Sequence, residues 1–297
     1  MLRSLFSGVA GLRNHQVKMD VLGNNIANVN TYGFKASRVT FQEIYAQSLR
    51  SASQPSANLG GRNPMQVGLG ISTATIDVIH SSSQMQVTDH LLDLSITGEG
   101  FFAVKQGEIT NYTRTGNFYL NPTDGALIAG NGFFVQGFMF LDEGDYPDLE
   151  FTQINFDDTI APGYDIEADL DSVGRIFVPE GFEDIAIDAR GLITGIDANG
   201  DLVEIGQILV TNFINPSGLT RVGSNLYLES NNSGTPNVGF GGDPTFGMIN
   251  SSSLEMSNVD LSKEFTDMII TQRGFQANSR IITVSDTLLE ELINLKR

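Results

Sequence analysis

Four carboxylates alternate along "YDIEADLDS": Asp165, Glu167, Asp169 and Asp171. In an extended strand, alternate side chains share a face. The four would then present one acidic edge, able to hold a cation weakly. A pair of them could also flank a glycosidic bond and serve its hydrolysis. A plain acidic strand face needs no ligand and is the simpler reading. The hydrolase needs an aromatic sugar platform as well, and the chain has no Trp.

"DANGD", Asp197 to Asp201, begins like a calcium loop. That loop needs glycine at its sixth position and a carboxylate at its twelfth, where this chain has Leu202 and Ile208. A hairpin turn at Asn199-Gly200 is expected instead. His15, His80 and His90 stand in unrelated contexts, none with a ligand partner at i+4, and read as surface or packing residues. Gly98-Glu99-Gly100 reads as a tight turn. There is no phosphate loop, nucleophile elbow or dinucleotide fingerprint, and no cysteine to hold zinc or form disulfides. The residues predict no enzyme, no metal site and no cofactor.

Charge narrows the partners. The formal net charge is −18 over 297 residues, which argues against nucleic acid, since that needs a basic footprint. Residues 141–205 hold 18 of the 35 acidic residues, with Arg175 and Arg190 as their only bases. The rest of the chain is near neutral. An acidic, solvated middle that keeps neighbouring copies apart is the expected role. No stretch approaches the ~20 apolar residues of a membrane helix. The start, "MLRSLFSGVAGLRNHQ", brings charge back at Arg13 before a signal core of roughly 7–15 residues can form. Export, if it occurs, is expected to need no cleaved signal peptide.

The elements that carry these residues follow from periodicity. Steps of three and four from Leu2 give Leu2, Leu5, Val9, Leu12, Gln16, Met19, Gly23 and Ile26, a heptad-like stripe on a helix. From Leu261 the same steps give Phe265, Met268, Gln272, Phe275, Ser279, Ile282, Asp286, Leu289 and Ile293. "SNVD", residues 257–260, offers N-caps for that second helix. Polar residues interrupt both stripes every seven positions. Either the true stripe is slightly rotated from this one, or those positions face other subunits, where polar inclusions fix register. Between the helices, short alternating segments are split by turn signals every 8–12 residues, as in antiparallel β bodies.

The fold class expected is therefore α+β. Long N- and C-terminal helices would pair as a coiled-coil-like domain (1–30 with 256–297). An extended connector (31–70) would lead to a mainly antiparallel β body (71–255), with 140–180 a possible reduced insertion. The apolar faces of the helices exceed what one pairing can bury, so self-association is expected. Repeating one heterologous contact builds rings or helical filaments.

"NNIANVNTYGFK", Asn24 to Lys35, ends the first helix with more asparagines than a stop requires. This stretch, "TGEGFFAV", "YTRTGNFYLNPTDGALIAGNGFFVQGF" and the C-terminal "SNVDLSKEFTDMIITQRGFQANSRIITVSDTLLEELINLKR" resemble the bacterial flagellar rod and hook proteins over nearly the whole chain. The resemblance implies subunits exported unfolded through the flagellar type III apparatus and polymerised as a helical tube of the basal body and hook, outside the cell. Terminal helices would line the channel, and β bodies would form the wall. "QRGFQANSRIITVSDTLLEELINLKR" and "IDARGLITGIDANGDLVEIGQILVTNFINPSGL" look hook-like. A flexible joint passing torque to the filament is thus the first reading and a distal rod drive-shaft subunit the alternative. A secreted carbohydrate-acting enzyme or an adhesin is more remote. The implied partners are further copies of the chain, distal rod and hook–filament junction proteins at the polymer's ends, and the hook cap and export apparatus during assembly. No nucleic acid and no membrane insertion are implied. Within the signature, Asn24, Asn25, Asn28 and Asn30 are expected to hydrogen-bond across interfaces, Gly33 to permit the turn, and Tyr32 and Phe34 to anchor the connector on a neighbouring subunit.

Overall fold

A computed structural model of the chain describes residues 2–55, 60–140, 173–179, 181–197 and 200–295. The alternating carboxylates of 165–171, most of the 140–180 segment, and Asn199 lie outside the described residues. The chain divides into two compact units. One is helical, made of Met1–Val29, Ala36–Ile79 and Val259–Arg297; the other is a β unit of Asn30–Lys35 and His80–Asn258.

In the helical unit, α1 (Leu2–Ala27) and α2 (Leu261–Asn294) pair with each other. Asp260 caps α2: its carboxylate accepts from the backbone N–H groups of Ser262 and Lys263 at 2.9 and 3.3 Å. That satisfies donors the first helical turn leaves without partners. Four strands share the unit: β1 (Ser37–Glu43), β2 (Ala46–Arg50), β3 (Met65–Gly68) and β4 (Ile71–Val78). β1 pairs antiparallel with β4, from Ser37 opposite Val78 to Glu43 opposite Ile71. β2 pairs with β3. β1 to β4 thus form a folded-back ribbon, and the span read as a connector, 31–70, holds β1, β2 and β3. Val39, Thr40, Ile71, Thr73, Thr75 and Ile76 supply the β-branched side chains that suit such strands.

The β unit opens with β5 (Met85–Val87), β6 (Leu94–Thr97), β7 (Phe101–Gln106), β8 (Ile109–Thr113), β9 (Phe118–Leu120), β10 (Leu127–Ala129) and β11 (Phe134–Met139). It continues with β12 (Gly174–Arg175), β13 (Glu183–Ile187), β14 (Leu192–Ile196), β15 (Leu202–Ile208) and β16 (Val210–Asn212). It closes with β17 (Thr220–Gly223), β18 (Leu226–Leu228), β19 (Asn237–Gly239), β20 (Met248–Ser251) and β21 (Ser253–Glu255). The main sheet runs β13-β14-β15-β11-β7-β8-β18-β17, and the pairings among the described strands are antiparallel. The expected α+β class, with paired terminal helices and a mainly antiparallel β body, is the one found. β14 turns into β15 with Ile196 opposite Leu202, and Gly200 donates to the Asp197 carbonyl at 2.8 Å. β14 and β15 are therefore antiparallel neighbours on either side of residues 197–201. The core gathers Leu94, Ile96, Phe102, Val104, Phe118 and Ile205, all fully buried. Burying each such side chain contributes roughly 1.5–3 kcal/mol.

Candidate functional site

The helix pair is closer than two greasy stripes would allow. α1 and α2 run antiparallel: Gly8 lies against Ile282, Gly11 against Asn278, His15 against Gly274, and Asn25 against Glu264. A methyl group added to Gly11 would sit 2.7 Å from Asn278 Nδ2, and one on Gly274 would sit 2.8 Å from His15 Nε2. Glycines at these points let the two backbones approach, and small or polar side chains fill what remains.

The seam is thus displaced from the stripe read in the sequence. On α2 the covered positions are Glu264, Thr271 and Ser285, fully buried, with Met268, Phe275, Ile282 and Leu289 half-buried beside them. One expected column is therefore on the seam. The other lies one residue too far round: Phe265 is 49% exposed and Ile293 67% exposed. Leu261, at the helix start, is exposed as well. On α1 the buried positions are Gly8, Gly11, Asn14, Leu22 and Asn25. Leu5, Leu12, Met19 and Ile26 flank them half-buried, while Val9 and Gln16 are exposed. Nothing is described of the Leu2 side chain. One residue is about 100° around a helix. The polar interruptions marked that rotation: Gln16, Gln272 and Asp286 sit outside the pair.

The other side of α1 is held to the ribbon by amides. Asn14 donates to the Ile71 carbonyl at 2.7 Å and accepts from the Thr73 hydroxyl at 2.8 Å. Asn25 donates to the Ser37 carbonyl at 2.9 Å, accepts from the Ser37 N–H at 3.0 Å, and reaches Glu264 Oε2 at 3.2 Å. It is 1% exposed. This corrects the expectation that Asn25 bonds to another subunit, because its amide is consumed inside its own unit. Asn28 donates from its side chain to the Asn24 carbonyl at 2.9 Å, closing the last turn. Asn24 and Asn30 are exposed.

With the seam accounted for, α2 keeps a second apolar stripe. Ile270, Ile281, Val284, Leu288 and Leu292 recur at helical spacing and are 44–60% exposed. On the ribbon, Ile44, Tyr45, Leu49, Met65 and Val67 are exposed too. Such continuous apolar surface marks association rather than a free solvated face.

The remainder of the signature belongs to the β unit. Gly33 has φ +65° and donates its N–H to the Glu255 carbonyl at 2.8 Å. The Tyr32 hydroxyl donates to Gln86 at 3.1 Å, and the Tyr32 carbonyl accepts from Asn225 at 3.0 Å. Phe34 is 2% exposed beneath the Arg221 guanidinium, 5.0 Å from its ring centroid. Phe34 therefore cannot anchor on a neighbour as expected; its surface is already covered. Next to it, Lys35 is fully buried and pairs with Glu255 at 2.7 Å. Arg114 takes the other carboxylate oxygen at 3.2 Å and donates to the carbonyls of Ile96 and Gly98. Burial holds Lys35 and Arg114 below their usual pKa, opposed by Glu255, which favours their charged forms. His80 packs edge-on against Phe101 and Tyr227. Burial first, then the cations Lys35, Arg114 and Arg221, push its pKa down to about 4.

Lys35, Arg114 and Glu255 were not singled out by the sequence, and His80 was read there only as a surface or packing residue. No local signal could have found the pair, since Lys35 and Glu255 are 220 residues apart. Among the described residues no group of His, Asp or Glu is arranged to hold a metal. No described helix is long and apolar enough to cross a membrane.

The helical unit is thus a glycine-packed helix pair with an exposed apolar face, and the β unit holds a buried polar cluster paired within itself. Comparisons with known proteins then give the family. The family model described as "Flagella basal body rod protein" matches residues 5–35, "Flagellar hook protein FlgE/F/G D1 domain" matches 95–195, and "Flagellar basal body rod FlgEFG protein C-terminal" matches 250–295. The flagellar basal-body rod protein FlgG of Bacillus subtilis is 46% identical over 298 residues, covering both chains completely. The hook protein FlgE of Borreliella burgdorferi is 32% identical over an alignment of 443 positions, also covering both. The FlgG of Buchnera aphidicola (Baizongia pistaciae) is 32% identical over 294 residues, covering 98% of this chain and 99% of that one. The chain belongs to the flagellar rod and hook protein family. Its relatives are structural components of the flagellum, not enzymes.

Proposed function

We propose that this chain is a distal-rod subunit, one of many copies that stack as a helical tube and carry torque along the flagellar drive shaft. The observation that carries the reading is length. The alignment with the B. subtilis rod protein runs over 298 positions against 297 residues here, whereas the alignment with the B. burgdorferi hook protein needs 443. A hook-sized outer domain has no room in this chain. The hook reading, drawn from Phe275-Gln276-Ala277-Asn278-Ser279, is the second one.

Self-assembly through helix faces supports the proposal. The stripe from Ile270 to Leu292 is apolar and uncovered, and copies of the helical unit are its fitting partners. Asn24 and Asn30, exposed at the end of α1, would serve contacts between copies. Rod and hook components would be the neighbours along the polymer axis, and the flagellar export apparatus the route outward. The test is to locate the protein with a labelled antibody along isolated hook–basal bodies. Label on the rod supports the proposal, and label along the hook overturns it in favour of the second reading.

A further inference from the structure

The chain enters or leaves the β unit at four points, next to Asn30, Lys35, His80 and Asn258. The residues just inside those points converge on one side chain. Glu255 Oε1 accepts from Lys35 Nζ at 2.7 Å and from the Ser83 N–H at 3.0 Å. Glu255 Oε2 accepts from Arg114 at 3.2 Å, and the Glu255 carbonyl accepts from the Gly33 N–H at 2.8 Å. Around it the same segments cross-link. Lys35 Nζ donates to the Ser81 carbonyl at 2.7 Å, the Ser83 hydroxyl to the Ser257 carbonyl at 2.8 Å, and the Asn258 amide to the Ser81 hydroxyl at 3.1 Å. Asn30–Lys35, His80–Ser83 and Glu255–Asn258 are far apart in sequence, yet each has a bond to Glu255 or includes it.

We propose that Glu255 is the positioning residue of these linking segments: one buried carboxylate that fixes, at once, where the chain passes into and out of the β unit. Two features point past ordinary core packing. The side chains of Lys35 and Glu255 are 0% exposed and that of Arg114 2%, so two buried cations depend on a single anion. A buried cation stripped of its partner is not left in place but seeks water. Lys35 can reach water only by withdrawing the 30–35 segment. Arg114, by contrast, keeps two backbone carbonyls and directly follows β8, which is paired on both sides, with β7 and β18. Loss of the carboxylate should therefore free the linking segments selectively.

Hydrogen exchange followed by mass spectrometry on the full chain tests this. In Glu255→Ala, peptides covering 30–36, 80–84 and 253–258 should exchange at least tenfold faster, while 101–106 and 192–196 keep their protection. Glu255→Gln, which keeps an acceptor for Ser83 and Lys35 but loses the charge, should loosen the same three peptides by less. Lys35→Met should loosen 30–36 fully and 80–84 less than Glu255→Ala does, because the Ser81 bond is lost but the Ser83 bond survives. Acceleration of 253–258 alone in Glu255→Ala would overturn the proposal. So would equal acceleration of 101–106, which makes the residue a support of the whole core. If Glu255→Ala does not fold, the Gln and Met variants carry the same comparison, and unchanged exchange at 30–36 in both would refute it.

Discussion

Replacing Gly33 by Ala isolates how the signature segment is held. Gly33 has φ +65°, a left-handed conformation that costs a side-chain-bearing residue about 1–2 kcal/mol. Its surroundings add a second cost. A Cβ there would lie 2.7 Å from Thr115 Oγ1, 2.8 Å from the Thr115 nitrogen and 3.0 Å from the Arg114 carbonyl carbon. Two of those atoms are backbone and cannot swing aside, and overpacking of this kind costs roughly 1–3 kcal/mol. Moving the segment to relieve the clash strains the Gly33–Glu255 hydrogen bond, another ~1 kcal/mol. Less the gain from a stiffer unfolded chain, about 0.4–1 kcal/mol, the expected loss is about 2–5 kcal/mol. Gly107 is the matched control: its φ is +63°, and nothing lies within 4 Å of an added Cβ. Gly107→Ala should lose only the conformational part, about 1 kcal/mol. Urea unfolding followed by tyrosine fluorescence suits the pair, since the chain has no Trp and Tyr112 and Tyr227 are buried in the β unit. Equal losses for the two variants would refute the docking of 30–35 against Thr115.

Other expectations follow from single residues. Asn25→Ala removes the two hydrogen bonds to the Ser37 backbone and the one to Glu264, and should cost roughly 2–4 kcal/mol, whereas exposed Asn24→Ala should stay within ~0.5 kcal/mol; thermal unfolding of the two variants gives the comparison. His80 has a folded pKa of about 4 against 6.5 unfolded, so the unfolded chain binds the extra proton between those values. Stability should then rise with pH across that window, by about 3 kcal/mol in total. His80→Phe should remove that contribution without lowering stability at neutral pH, because it also deletes two buried ring nitrogens that have no partner; chemical unfolding at pH 4.5, 5.5 and 7 reads both effects. Leu12→Asp and Phe275→Asp put a charge beside the glycine-packed seam. Each should abolish polymer formation, seen by electron microscopy, while the β unit's tyrosine signal stays native; tubes formed by either variant would show that the seam does not matter for assembly.

Element type was largely legible from the sequence, because it rests on local periodicity. The two long helices, the Asp260 cap, the run of short antiparallel strands and the antiparallel pairing of β14 with β15 all follow from residue spacing and turn chemistry. Which face of each helix is covered was not legible in full. Hydrophobic spacing selects large apolar side chains, but the real seam runs through Gly11 and Gly274, where an added Cβ would lie 2.7 and 2.8 Å from the facing side chain. Large residues such as Ile281 and Leu288 were left outside it.

The asparagine-rich signature shows the same division most clearly. Its sequence alone determined that α1 stops near Ala27 and that a turn follows at Gly33. Tertiary structure decided what its residues do: Asn25 is spent on Ser37 and Glu264 in one unit, while Phe34 and Lys35 are sealed into the other against Arg221 and Glu255. The reason is separation along the chain. Lys35 and Glu255 are 220 residues apart. No local pattern can announce that a lone lysine after a phenylalanine will be buried, because only the folded chain brings it a carboxylate.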